Sequence, residues 1–238
     1  MSEVTKAIAE LQQKKTIHVA RYRKSERTGL DVPVYSLSVA RTRRLDVHGL
    51  LAGVTSERLV EYDFVVRNLL RRSKANVLDV GAAGSGLAQA IRDFRSEWKI
   101  TGIDLAAGSD AVMDALSTGF RDRVFDQVIS VSTIEHLAIE DKSGDVKAMK
   151  EVFRILKKGG SAIITVPYGR RNRLEHRVYD RKSLTALAGR FKIVKKEFYR
   201  YDSGKWEKCS QAAADRADSQ VPLQFHSAAC ACLLLKKQ

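Results

Sequence analysis

Apolar runs and amphipathic stretches alternate along this chain from residue 56 to its last residues. SERLVEYDFVVRNLLRR (56–72) repeats apolar residues at helical spacing, with Leu59, Tyr62, Val65, Val66 and Leu69 on one face and Ser56 placed to cap it. NVLDV (76–80) is a short apolar run of the kind that makes a strand buried on both faces. Three glycines follow, Gly81, Gly84 and Gly86, and then a short helical piece, Leu87–Phe94. WKITGID (98–104) predicts a second strand and AVMDAL (111–116) a short apolar piece. RVFDQVISVSTIEHL (123–137) predicts a strand from near Phe125 that runs through Ile129 into a loop. KAMKEVFRILKKGG (147–160) predicts a helix with Met149, Val152, Ile155 and Leu156 on one face, stopped by Gly159 and Gly160. SAIITVPYG (161–169) reads as a fully buried strand, RKSLTALAGRF (181–191) as a helix, and FKIVKKEFYRY (191–201) as an alternating strand. HSAACACLLLKK (226–237) is a last apolar strand, and the polar residues 202–225 read as loop, partly open to helix.

Strands alternating with helices imply an α/β domain with a doubly wound, mostly parallel sheet. A length of 238 residues suits one large domain, alone or with an appendage. The division expected is residues 1–45 as a basic N-terminal arm or cap and residues 46–238 as the main domain. Within the arm, Val4, Ile8 and Leu11 fall at helical spacing. TIHVA and VPVYSLSVA look like short strands separated by the basic run RYRKSERTG, with RTRR at 41–44.

Composition narrows the classes. No apolar run approaches the roughly 20 residues a bilayer span needs, and the first fifteen residues lack the apolar core of a signal peptide. Membrane partnership is therefore not expected. Three cysteines, Cys209, Cys230 and Cys232, match no zinc-ligand spacing and read as buried thiols in a reducing cytoplasm. No metal-ligand cluster stands out. The net charge of +14 is concentrated. Residues 1–75 hold 15 Lys/Arg against 8 Asp/Glu, and residues 169–208 hold 13 against 5, on either side of a nearly neutral centre. Two such blocks suit an anionic partner or two solvated basic faces.

The chemistry gathers at Asn76–Gln89. A buried parallel strand feeding a tight glycine turn that opens a helix is where open α/β sheets bind a ligand. The second strand ends in Asp104, about twenty positions after the turn begins, where a carboxylate accepts hydrogen bonds from a ribose diol.

Together VLDVGAAGSG, ITGID, MDAL, FDQVIS, EHL, RILKKGG and AIITVP resemble, in order, the motifs of the class I S-adenosylmethionine-dependent methyltransferases. The closest likeness is to the small-molecule, type 11-like branch, in which an EHL motif follows the fourth strand and a segment like HRVYDRKSL (176–184) follows the fifth. The resemblance covers roughly residues 56–238 and implies a Rossmann-like methyltransferase fold with a seven-stranded sheet. It implies S-adenosyl-L-methionine as cofactor, held by Asp79, Gly81, Ala82, Ala83, Gly84, Gly86, Asp104, Leu105, Asp114, Ala115 and Ser132. Asp79 would orient the amino group, Asp104 the ribose, and Asp114 with the Ala115 amide the adenine edge. The loop Ser130–Thr133 would face the methionine amine.

Two departures from the family pattern stand out. The turn reads Gly-x-x-Gly-x-Gly, and only nine residues separate Asp104 from Asp114, so the helix usual there is expected to be missing and the third strand short. On the acceptor side, His136 and His176 are the candidate bases, and Tyr168, Arg170, His176 and Tyr179 the candidate substrate contacts. Arg58, Glu61 and Tyr62 are near enough in sequence order to reach the cofactor corner, but are read as capping and packing residues. The expected reaction is methyl transfer to an O or N of a small, anionic or glycan-like acceptor. RNA is the second choice, drawing on both basic blocks. A nicotinamide-dependent oxidoreductase is disfavoured because Gly-x-Gly-x-x-Gly is absent, and a non-catalytic binding protein on the same fold is the remaining class.

Overall fold

A computed structural model describes residues 17–24, 31–37, 57–83, 85–139, 141–170, 176–217 and 227–238. The expected helix in residues 1–15, the cap Ser56, Gly84, and residues 171–175 of the second basic block lie outside the described residues. In the N-terminal region β1 (Ile17–Lys24) and β2 (Asp31–Leu37) pair antiparallel as a two-stranded sheet. β1 is longer than TIHVA alone and continues through RYRK.

The main body is an eight-stranded sheet covered on both faces. In chain order it contains α1 (Arg58–Asn68), β3 (Asn76–Val80), α2 (Leu87–Phe94), β4 (Lys99–Asp104), β5 (Ala111–Val112), β6 (Phe125–Val131), a 3-10 turn (Ile134–Ala138), α3 (Gly144–Ile155), β7 (Leu156–Tyr168), α4 (Arg181–Ala188), β8 (Lys192–Asp202), β9 (Lys205–Cys209), α5 (Gln211–Asp215) and β10 (Ala229–Lys236). The strand order is β5-β4-β3-β6-β7-β10-β8-β9. β5 through β7 run parallel, and β10 enters antiparallel between β7 and β8. The order reverses between β3 and β6, so a crevice opens at the carboxyl ends of those two strands.

Two apolar clusters hold the layers. One face packs Leu78, Val128, Ile164 and Leu233 against α3 and α4, and the other packs Val77, Ile129, Ile163 and Cys232 against α1 and α2. Each fully buried aliphatic side chain contributes about 1.5–3 kcal/mol relative to exposure, which is why β6, β7 and β10 read as nearly unbroken apolar runs.

Three details differ from the sequence expectations. The sheet has eight strands rather than seven, because Lys205–Cys209 folds back on β8 as an edge strand. Its alternation is short and polar, so the sequence reads as loop. α3 ends at Ile155, and Leu156 already has extended backbone. Gly159 and Gly160 therefore do not stop the helix; they make backbone hydrogen bonds with Lys237 at the start of the long strand. α1 buries Val60, Glu61, Phe64 and Val65 as well as Tyr62 and Leu69, so it is covered on more than one stripe. The spacer between β4 and β5 carries no helix, and β5 has two residues, as the short separation of Asp104 and Asp114 implies.

Candidate functional site

The glycine corner is built by hydrogen bonds from the turn to β4. Gly81 and Ala82 donate their amides to the Ile103 carbonyl at 2.9 and 3.0 Å. Ala83 donates to Asp104 Oδ2 at 3.0 Å, and Ala106 donates to Asp104 Oδ1 at 2.9 Å. Asp104 thus ties the turn to the end of its own strand before it meets any ligand. Gly81 has φ +84°, and a Cβ there would lie 2.0 Å from Thr133 Oγ1. The turn therefore presses its backbone against the loop after β6, a close approach that only glycine permits.

Asp79 lies at the floor of this corner and is 2% exposed. Its Oδ2 is buried without a hydrogen-bond partner among the described residues. Burial pushes its carboxyl up to about 7, and Asp104 and Asp110 push it the same way against the lowering effect of Arg92. A buried acceptor left open costs free energy unless a ligand meets it. An orphaned carboxyl beside a glycine cradle fits a ligand carrying an amino group. Residues on β4 and β5 finish this end. Asp110 accepts from the Gly102 amide at 2.6 Å and pairs with Arg92. Leu105 and Val112 are exposed apolar side chains at the adjoining strand ends, and Asp114 is exposed and closes a turn by accepting from the Leu116 amide at 2.8 Å. Ala115 is half-buried beside it.

The other wall comes from α1 and the loop after β6. Ser132 has φ +42°, its hydroxyl donates to Glu61 Oε1 at 2.6 Å, and its amide donates to the Thr165 carbonyl at 3.0 Å. Glu61 is fully buried and also accepts from Arg58 Nη1 at 2.5 Å. The Tyr62 hydroxyl points to the Ser85 carbonyl of the glycine turn at 3.4 Å, and burial pushes its pKa up to about 12. α1 therefore borders the corner with polar groups, beyond the capping and packing role read from sequence. The signal was present: Glu57, Glu61 and Val65 lie four residues apart, so two acids occupy a stripe that is apolar further along. Glu135 escaped notice because the EHL motif draws attention to its histidine. A recess lined by Glu57, Ser132, Pro167, Trp206, Ser227 and Cys230 opens beside this wall.

The structure brings Asp79, Gly81, Ala82, Ala83, Gly86, Asp104 and Ser132 to the carboxyl ends of β3, β4 and β6. The expected substrate contacts divide. His136 is exposed, and His176 is buried with its ring edge-on to His136, centroids 5.9 Å apart. Tyr168 is no lining residue: it is fully buried, packs on Phe198, and donates its hydroxyl to Asp215. Tyr179 is also core, its hydroxyl donating to Asp145 Oδ2 at 2.8 Å. A strand-like bridge explains both tyrosines, since Tyr179 donates its amide to Pro167 and accepts from Gly169, which zips the segment after β7 onto the sheet. Arg170 is exposed and donates to the Asp215 carbonyl at 3.1 Å. Among the described residues no cluster of His, Cys, Asp and Glu has metal-binding geometry.

Comparison with known proteins gives the same picture of the fold. The family model described as "Methyltransferase domain" matches residues 78–164, which span β3 to β7. A 55-residue stretch is 46% identical to tRNA (carboxymethyluridine(34)-5-O)-methyltransferase alkbh8 of Xenopus tropicalis, covering 23% of this chain and only 8% of that protein. Among solved structures, the [4+2]-cyclase SpnF is similar with TM-score 0.57 at 19% identity, over 78% of this chain and 83% of that one. The N-methyltransferase NodS of Bradyrhizobium japonicum WM9, in complex with S-adenosyl-L-homocysteine, is similar with TM-score 0.53 at 14% identity, over 76% and 87%. A SAM-dependent methyltransferase of Methanosarcina mazei is similar with TM-score 0.51 at 16% identity, over 73% and 96%. Likenesses at these identities speak for the fold alone, and one of these folds is titled a cyclase, so the reaction must be argued from the residues.

Proposed function

We propose that this chain, which carries a class I S-adenosylmethionine-dependent methyltransferase domain, moves a methyl group from S-adenosylmethionine to an oxygen or nitrogen of a small acceptor. The observation that carries the reading is Asp79, a buried carboxyl with an open oxygen at the foot of the glycine turn. Asp79 and the Ser132 loop receive the methionine end, Asp104 the ribose, and Leu105, Asp114 and Ala115 the adenine. The bound cofactor supplies a methyl group activated on a sulfonium, so the chain's own task is positioning and exclusion of water. Asp104 serves twice, as a ribose ligand and as the group that fixes the Ala83 amide. α1 covers the methionine end with Glu61 and Tyr62. His136, His176 and Arg170 lie toward the acceptor, with Tyr168 and Tyr179 supporting the segment that carries them.

Calorimetric titration with S-adenosylmethionine and with NAD tests this reading. The wild type is expected to bind S-adenosylmethionine and not NAD, and Asp104→Ala to weaken that binding at least about tenfold, or about 1.4 kcal/mol. Binding of NAD alone, or of neither, sinks the reading.

One observation favours a second reading in which the acceptor is RNA: the local identity to a protein named as a tRNA methyltransferase, together with the basic blocks 1–75 and 169–208. In the described part of the second block several cations are already paired, among them Arg181 with Asp215, Arg200 with Asp202 and Lys205 with Glu207. That pairing weakens the case for an RNA surface and leaves the small acceptor as the first choice.

A further inference from the structure

Glu135 is one of the buried acidic side chains among the described residues that the cofactor site does not use. It sits on the 3-10 turn directly after β6, two residues beyond Thr133, whose side chain abuts Gly81. It is fully buried, and among the described residues neither carboxyl oxygen has a hydrogen-bond partner on another residue. The titratable groups facing it are Glu57, Arg58 and Glu61 at the start of α1, and Tyr179 from the segment after β7. The donors among these neighbours are committed: Arg58 to Glu61, Ser132 also to Glu61, and the Tyr179 hydroxyl to Asp145. The backbone carbonyl of Glu135 is held by the Arg177 amide, so the turn itself is anchored while the carboxyl is left open.

In the sheet order β4-β3-β6, Glu135 follows β6 and Asp104 ends β4, so the two flank the corner on opposite sides. Glu135 thus lies on the side of the corner away from Asp104. Besides Glu135 itself, two buried carboxyl groups, Glu57 and Glu61, face the Arg58 guanidinium there, so the local field favours a cation over an anion.

We propose that Glu135 receives the N–H of the methyl acceptor, and that the acceptor is an amine entering as its ammonium ion. This rests on the methyl-transfer reading. Burial raises the Glu135 carboxyl well above its usual range, and Glu61 and Glu57 act in the same direction, so a cation that restores the carboxylate displaces a proton. An ammonium ion docking against it releases that proton to solvent and leaves an ion pair. The carboxylate then takes one proton from the ammonium nitrogen. The freed lone pair forms the new C–N bond to the methyl carbon, the C–S bond breaks with its electron pair going to sulfur, and the product leaves as the methylated ammonium ion.

Sinefungin tests the assignment. It is an analogue of S-adenosylmethionine with an amine-bearing carbon in place of the methylated sulfonium, so it sets a cationic nitrogen where the transferred methyl would be. Titrations of sinefungin and S-adenosylhomocysteine are run in buffers of different ionisation enthalpy, on wild type, Glu135→Gln and Glu135→Leu. The wild type is expected to bind sinefungin at least about tenfold tighter than S-adenosylhomocysteine and to release about one additional proton. Both variants should keep S-adenosylhomocysteine affinity within about threefold, which shows that they fold, and should lose both the preference and the proton release. A wild type without the preference, or variants that retain it, overturns the assignment of Glu135 while the cofactor reading stands. Binding of neither nucleoside by the wild type overturns the cofactor reading, and this proposal with it.

Discussion

At the scale of single residues, the site runs on carboxyl groups whose surroundings differ. Asp104 is tied by two backbone amides, whereas Asp79 is buried with one oxygen open. Because the folded-state value of Asp79 is about 7 against an ordinary 3.8, the folded chain holds a proton that the unfolded chain gives up. The free protein therefore loses stability as pH rises from about 4 to about 7, with no further loss from this group above that range. Asp79→Asn removes this loss. Its thermal midpoint should gain on the wild type between pH 4.5 and pH 8, while S-adenosylmethionine affinity falls at least about tenfold. Melting curves across that range and one titration check both halves; parallel pH profiles for the two proteins would contradict the assignment. Gly81 is the complementary case, where no charge is involved. Gly81→Ala sets a methyl group against Thr133 at a positive φ and should cost about 1–3 kcal/mol, read from denaturant midpoints.

At the scale of elements, pieces of the fold are held by residues distant in sequence. The C-terminal end of α3 is an example away from the site. Lys237, next to the last residue, donates its ammonium to the carbonyls of Phe153 at 2.6 Å and Leu156 at 2.7 Å, and its charge lies over the Phe153 ring. A cation there satisfies carbonyls that the helix leaves open and matches the helix dipole. This contact, rather than the glycine pair, lies where α3 gives way to β7. Lys237→Met keeps the apolar stem but leaves those carbonyls without a donor, and is expected to cost about 1–3 kcal/mol of stability. The loss should appear in chemical denaturation without a change in cofactor affinity. At the other end of the sheet, the two-residue β5 and the helix-free spacer leave Leu105 and Val112 exposed.

At the scale of the whole molecule, charge and shape point in different directions. The chain carries a net charge of +14, yet the buried acids Glu57, Glu61 and Glu135 gather beside the crevice. If the small acceptor is correct, bulk tRNA should bind weakly and be displaced by moderate salt. The RNA reading requires tight binding with a steep salt dependence, its slope set by the number of phosphates contacted. Filter binding at three salt concentrations separates the two. No helix among the described residues is long and apolar enough to cross a membrane.

The sequence by itself determined the order of strands and helices from β3 to β8, the bounds of α2, the brevity of β5, and the glycine corner with Asp79 and Asp104 at its edges. Those features rest on local periodicity and on residue types with narrow backbone preferences, which a chain displays without its partners. It did not reveal that Tyr168 and Tyr179 are core residues, that Glu61 is tied to Ser132 across 71 positions, or that Glu135 is buried with an open carboxyl. Nor did it reveal that Lys205–Cys209 adds an eighth strand. A side chain's burial and partners depend on which elements pack against it, and those contacts join residues too far apart for any local pattern to record. Tertiary structure decided them, and with them which acids are buried beside the glycine corner.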